Sequence, residues 1–162
     1  MDSIPCIALG ILATALLDAW TLMRRRLLGT PLPNYRLVGR WLAHMQRGRF
    51  RHDAIASATP KRGEQAIGWI AHYLTGIAFA TLLLALAGMD WLRHPTLAGA
   101  MGIGFVSVLA PFLLMQPGMG MGIAAARTPH PNRARLQSLS MHAAFGFCLY
   151  FAGRILGLPS LL

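Results

Sequence analysis

Acidic side chains are scarce: five Asp and Glu stand against fifteen Lys and Arg in 162 residues. The few carboxylates form no pair suited to acid–base work. No Ser–His–Asp order, His-Glu-x-x-His run or Gly-Lys phosphate loop is present. An enzyme is therefore the less favoured reading. Asp18 and His72 acting as acid and base on a lipid is the one such chemistry these residues leave open. Cysteine is nearly absent. Cys6 and Cys148 are expected at different depths, near the outer surface and mid-membrane, which argues against a disulfide, and no zinc spacing exists. Charge of either sign is also thin, at 12% of residues, against about 25% in a soluble domain.

What the chain has instead is apolar length. Hydrophobic residues make up 55% and fall in four blocks, each longer than the roughly 18 residues that suggest a membrane-spanning helix. The expected spans are about 4–23, 66–89, 96–118 and 137–158, within a single transmembrane domain over 1–162. The third block stays apolar to Ala126, too long for one straight span. Pro111 and Pro117, with Gly104, Gly118, Gly120 and Gly122, should kink or break it. The first block is expected to be a retained helix and not a cleaved signal peptide: Asp2 precedes it and Arg24, Arg25 and Arg26 follow it, the reverse of the usual charge order.

The net charge of +10 raises nucleic-acid binding, but its placement argues against it. Ten of the fifteen basic residues lie between Arg24 and Arg62, and Arg127, Arg133 and Arg135 lie in one other connection. Basic residues gathered in alternate connections follow the positive-inside rule, and no nucleic-acid recognition motif is present. Segments 24–65 and 127–135 are thus expected in the cytoplasm and both termini outside, which in a bacterium is the periplasm. Trp91, in the short connection after the second span, suits the outer interface. Within 24–65, Leu37, Val38, Trp41, Leu42 and Met45 recur at helical spacing, with Arg36, Arg40, His44 and Arg47 on another face and Asn34 as a candidate cap. This predicts a short helix on the inner membrane surface. Arg36, Arg40, Arg47 and Arg49 would meet anionic lipid head groups or a phosphate-bearing ligand.

Thr30-Pro31-Leu32-Pro33-Asn34 after the first span matches Thr128-Pro129-His130-Pro131-Asn132 after the third, 98 residues on. The same offset pairs Asp18 with Gln116. An offset of 70 pairs His72-Tyr73-Leu74-Thr75-Gly76 with His142-Ala143-Ala144-Phe145-Gly146. The pattern predicts two hairpins related by duplication and running in the same direction.

Counted along their helices, Asp18, His72 and His142 lie roughly 9–12 Å from the basic ends, and Gln116 at most roughly 16 Å. Polar residues at such depth normally face a bundle interior or a wet cavity, so these four are expected to converge. Three uses follow. They could pass protons or a small solute, with a carboxylate tuning a histidine. His72 and His142 could ligate haem or a metal, with Met115, Met119 and Met121 adding soft sulfur suited to copper. Or they hold the bundle together by hydrogen bonds. A further reading is an accessory subunit, with Ala98/Gly102 and Ala100/Gly104 as outward small-residue stripes. The lipid bilayer is the expected partner, with a homo-oligomer or larger membrane complex open.

The runs Asn34-Tyr35-Arg36-Leu37-Val38-Gly39-Arg40-Trp41, Gly48-Arg49-Phe50-Arg51-His52 and Pro111-Phe112-Leu113-Leu114-Met115-Gln116-Pro117-Gly118-Met119-Gly120 resemble an uncharacterised family of bacterial membrane proteins, domain of unknown function 2938. The resemblance covers nearly the whole chain and implies a bacterial inner-membrane protein. It carries no activity, cofactor or catalytic residue. The reading as a whole is an all-α membrane protein with four transmembrane helices and a short interfacial helix, serving as a small-solute or proton-linked transporter or membrane factor. The alternatives are a haem- or metal-binding membrane protein and an accessory subunit.

Overall fold

The computed structural model describes residues 3–157, and among them the chain is helical with no strand. Asp2 and Leu158, the latter expected to close the fourth span, lie outside the described residues. The helices are α1 (Ser3–Leu28), α2 (Tyr35–Met45), α3 (Glu64–Ala87), α4 (Leu97–Ser107), α5 (Gln116–Gly118) and α6 (Pro131–Gly157). Four stretches are long and apolar enough to cross a membrane: Ser3–Leu28, Glu64–Ala87, Leu97–Gly118 and Pro131–Gly157. Between α4 and α5 the backbone widens into a π-helical turn over Pro111–Met115. Proline cannot donate to the helical ladder, and a π-turn is one way a helix absorbs that loss.

The chain divides into two compact units. One comprises the chain up to Leu32, Tyr73–Val106 and the chain from Met141 onward; the other comprises Pro33–His72 and Ser107–Ser140.

The first unit is built on small-residue contacts. Leu9, Ala13 and Leu17 of α1 are buried with Ala80, Leu83 and Leu84 of α3, Ala100 and Ile103 of α4, and Phe145, Leu149 and Ala152 of α6. Spacings of three and four residues put these on one face of each helix. The opposite faces are also apolar: Ile7, Ile11, Leu86, Phe147, Phe151 and Ile155 are exposed, far more than a water-facing surface usually carries. A Cβ on Gly10 would run into the Ile77 backbone, and one on Gly76 would overlap Thr14 Oγ1. Likewise a Cβ on Gly104 would stand 2.7 Å from the His142 carbonyl, and one on Gly146 would stand 3.1 Å from the Ala100 carbonyl. Thr14 satisfies its own hydroxyl on the Gly10 carbonyl at 2.7 Å, as helical threonines do in apolar surroundings.

One expectation changes here. Ala100 and Gly104 are buried against α6 instead of facing outward, whereas Ala98 and Gly102 are exposed. Trp91 is buried, donating to Thr96 Oγ1 at 3.2 Å, because Gly153 leaves room for its ring: a Cβ there would come within 2.6 Å of it. Cys6 and Cys148 are both buried, form no disulfide, and share one core cluster.

In the second unit α2 crosses the start of α3 backbone to backbone. A Cβ on Gly39 would overlap the Glu64 carbonyl, and one on Gly68 the Tyr35 carbonyl. The apolar face read from the sequence packs inward: Trp41 is buried with Ile55 and Met119, and Leu37, Leu42 and Met45 pack on them. Asn34 takes the cap position but makes no side-chain cap bond.

Candidate functional site

Each polar residue singled out from the sequence has a definite setting within its own unit. In the first, Asp18 is half-buried and its Oδ2 accepts a hydrogen bond from Tyr73 Oη at 3.1 Å. His142 is half-buried on α6. In the second, His72 Nε2 and Tyr35 Oη are hydrogen-bonded at 3.1 Å, with the two rings stacked at 4.3 Å. Gln116 is buried; its Nε2 donates to Ser138 Oγ at 3.2 Å, and its Oε1 has no hydrogen-bond partner. Asp18 and His142 thus belong to one unit, His72 and Gln116 to the other. Among the described residues no three His, Cys, Asp or Glu side chains gather as a metal cage requires. Met119 is buried and Met115 and Met121 pack against its cluster with Trp41 and Ile55.

The four arginines expected at a phosphate or head group divide. Arg36 and Arg40 both bind Glu64. Arg40 is buried, and its Nε and Nη2 meet the two Glu64 oxygens at 2.8 and 3.0 Å. Its Nη1 donates to the carbonyls of Ala56 at 3.0 Å and Ala58 at 3.1 Å. The Lys61 backbone N–H also donates to Glu64 Oε2, at 2.9 Å. The Glu64 carboxylate raises the Arg40 pKa further, against the opposing pull of burial. Arg47 and Arg49 are exposed, and Arg49 borders a cavity.

That cavity, about 440 Å³ in volume, is bounded by Arg49, Arg51, His52, Asp53, Gly122 and Arg127 among others. Backbone bonds hold its walls. His52 N–H donates to the Gly118 carbonyl at 3.0 Å and Ile55 N–H to the Met119 carbonyl at 3.1 Å. Trp41 Nε1 donates to the Phe50 carbonyl at 2.9 Å, and Gly118 leaves no space for a Cβ, which would lie 2.6 Å from that same nitrogen. The three sequence runs that carry the family resemblance therefore meet in one unit. Beyond them the chain turns through positive φ at Gly120, Gly122, Ala124 and Ala125. For the two alanines this is a strained state of about 1–3 kcal/mol each. Arg135 Nε binds the Ala124 carbonyl at 2.9 Å and stabilises the turn.

His52 is buried, and neither ring nitrogen makes a hydrogen bond of good geometry. Burial lowers its pKa, with the charges of Arg49 and His44 adding to the effect and the Arg49 backbone and Asp53 opposing it. His44, also buried, faces it edge-on at 4.9 Å and is itself hydrogen-bonded to the Thr59 carbonyl at 3.0 Å.

Sequence reading missed Glu64, His52, Arg51 and Arg127 as site residues. A signal existed for Glu64: with Asp53 it is one of two acids in the basic segment 24–65. None existed for His52, whose isolation arises from the fold.

An all-helical protein with four helices of membrane-crossing length and apolarity is the class these observations define. The chain belongs to the family described as "Protein of unknown function (DUF2938)", which it matches over residues 7–156. No curated protein and no solved structure is detectably similar to it.

Proposed function

We propose that this is a multi-pass inner-membrane protein that conducts protons or a proton-linked small solute through Asp18. In this reading the basic connections and α2 lie at the cytoplasmic face and both termini outside. The supporting observation is the Tyr73–Asp18 hydrogen bond. Asp18 is the sole acidic residue inside any of the four spans, apart from Glu64 at the very start of α3. A carboxylate in that position is expensive in a membrane and normally marks an ion or proton path. A tyrosine hydroxyl can donate to the ionised form and turn to accept from the protonated one, so Asp18 has a partner in both states.

The reading includes two hairpins derived from one. Gly76 meets Gly10 and Thr14, and Gly146 meets Ala100 and Gly104. The two contact sets are 90 residues apart in the odd spans and 70 in the even ones. The proline turns repeat at 98, and the eight-residue difference suits the non-helical stretch that follows α5. By packing register Asp18 therefore corresponds to Val108, not Gln116. The copies share helix contacts and differ in their polar residues, which makes Asp18 the feature to test.

Full-length protein in liposomes holding a pH-sensitive dye, under an imposed membrane potential, should acidify the lumen faster than empty vesicles. Asp18→Asn should abolish the excess flux while Asp18→Glu retains part of it, with helix content unchanged in both. Equal flux in wild type and Asp18→Asn, or no flux above empty vesicles, would refute the proposal.

A further inference from the structure

We infer that the cavity bounded by Arg49, Arg51 and Arg127 binds a phosphate ester carrying a free hydroxyl, either as a soluble metabolite or as a lipid head group. Three arginines border one space, and a guanidinium can present paired N–H donors to phosphate oxygens. A buried His52 borders the same space with neither ring nitrogen in a hydrogen bond of good geometry. Buried polar groups are normally hydrogen-bonded, so an orphan at a cavity wall points to a partner that enters from outside. The volume of about 440 Å³ lies within the roughly 300–1,000 Å³ of small-molecule sites and exceeds what a bare phosphate needs.

The remaining lining shapes the organic part. Asp53 borders the cavity with the arginines. An ionised carboxylate only accepts hydrogen bonds, so it disfavours phosphate oxygens on its side and suits a hydroxyl. Pro117 and Ile123 add apolar wall. One end of the ligand is thus anionic and the other hydroxylated, the pattern of a glycerol phosphate. Arg36 and Arg40 take no part, because Glu64 holds both.

The test uses the full chain in phosphatidylcholine nanodiscs. In one arm, glycerol 3-phosphate is titrated in by calorimetry. In the other, discs containing phosphatidylglycerol are analysed by native mass spectrometry for retained lipid. Saturable one-to-one binding in the first arm assigns a soluble ester, and retention of one phosphatidylglycerol in the second assigns a head group. Arg49 and Arg127 are exposed, so the double variant Arg49→Gln/Arg127→Gln should fold. It should weaken binding about tenfold or more, the scale of a lost hydrogen bond between charged groups. Arg25→Gln/Arg26→Gln removes the same charge outside the cavity and should leave binding unchanged. The inference is overturned if neither arm binds, if the cavity variant binds like wild type, or if the control loses as much.

Discussion

Arg40 and Glu64 show how a charged pair becomes part of a fold. Both are buried, and the guanidinium also ties down the carbonyls of Ala56 and Ala58. Removing one partner of such a pair typically costs about 3–5 kcal/mol, because the other is left buried and uncompensated. Arg36 and the Lys61 N–H still hold Glu64, so Arg40→Ala should lower the stability of the detergent-solubilised protein by the lower end of that range, about 3 kcal/mol, read as a drop in thermal midpoint. The double variant Arg40→Met/Glu64→Leu should lose less than the two single losses combined, with a coupling of about 1 kcal/mol or more. Strictly additive losses would contradict a direct buried pair. The sequence placed Arg40 among polar residues on one face of α2, but helical spacing cannot tell a solvated face from one that meets a buried acid. The same limit hid His52. Its type and position were visible, whereas its burial depends on the loop from Arg49 to Ile55 bonding to Gly118 and Met119.

Among the elements, the long helices were the most legible, because an apolar run of that length has few other fates. The break in the third span was legible too: Pro111 and Pro117 announce it, and the backbone answers with a π-turn over Pro111–Met115. Glycines set the helix contacts: Gly76 and Gly146, one turn beyond each histidine, are legible in the sequence as points of close approach, whereas Gly39 and Gly68 are not. Gly39 and Gly68 let α2 cross α3 at backbone distance, and Gly76 does the same for α1 and α3. Gly76→Ala should destabilise the protein by about 1–3 kcal/mol, the usual range for overpacking. Its Cβ meets Thr14 Oγ1 first, with the next atoms, Thr14 Cβ and the Gly10 carbonyl, at 3.3 and 3.4 Å. Adding Thr14→Ala should therefore restore much of the loss, measured as thermal midpoint in the same detergent. An unchanged deficit in the double variant would mean that the contact is not what limits the approach.

For the whole molecule, the central claim is four crossings with the basic connections on one side. It rests on four helices of sufficient length and apolarity, on apolar residues exposed on the outer faces of the first unit, and on the positive-inside placement of charge. Cys6 and Cys148 are buried, so single cysteines introduced at exposed positions can report topology in intact cells. Ser57, Arg93 and Arg133 are exposed; the first two lie in the first and second connections and Arg133 in the first turn of α6. With a membrane-impermeant maleimide, Arg93→Cys should label in intact cells, and Ser57→Cys and Arg133→Cys only after the membrane is opened. Labelling of Ser57→Cys and Arg93→Cys from the same side would contradict the account.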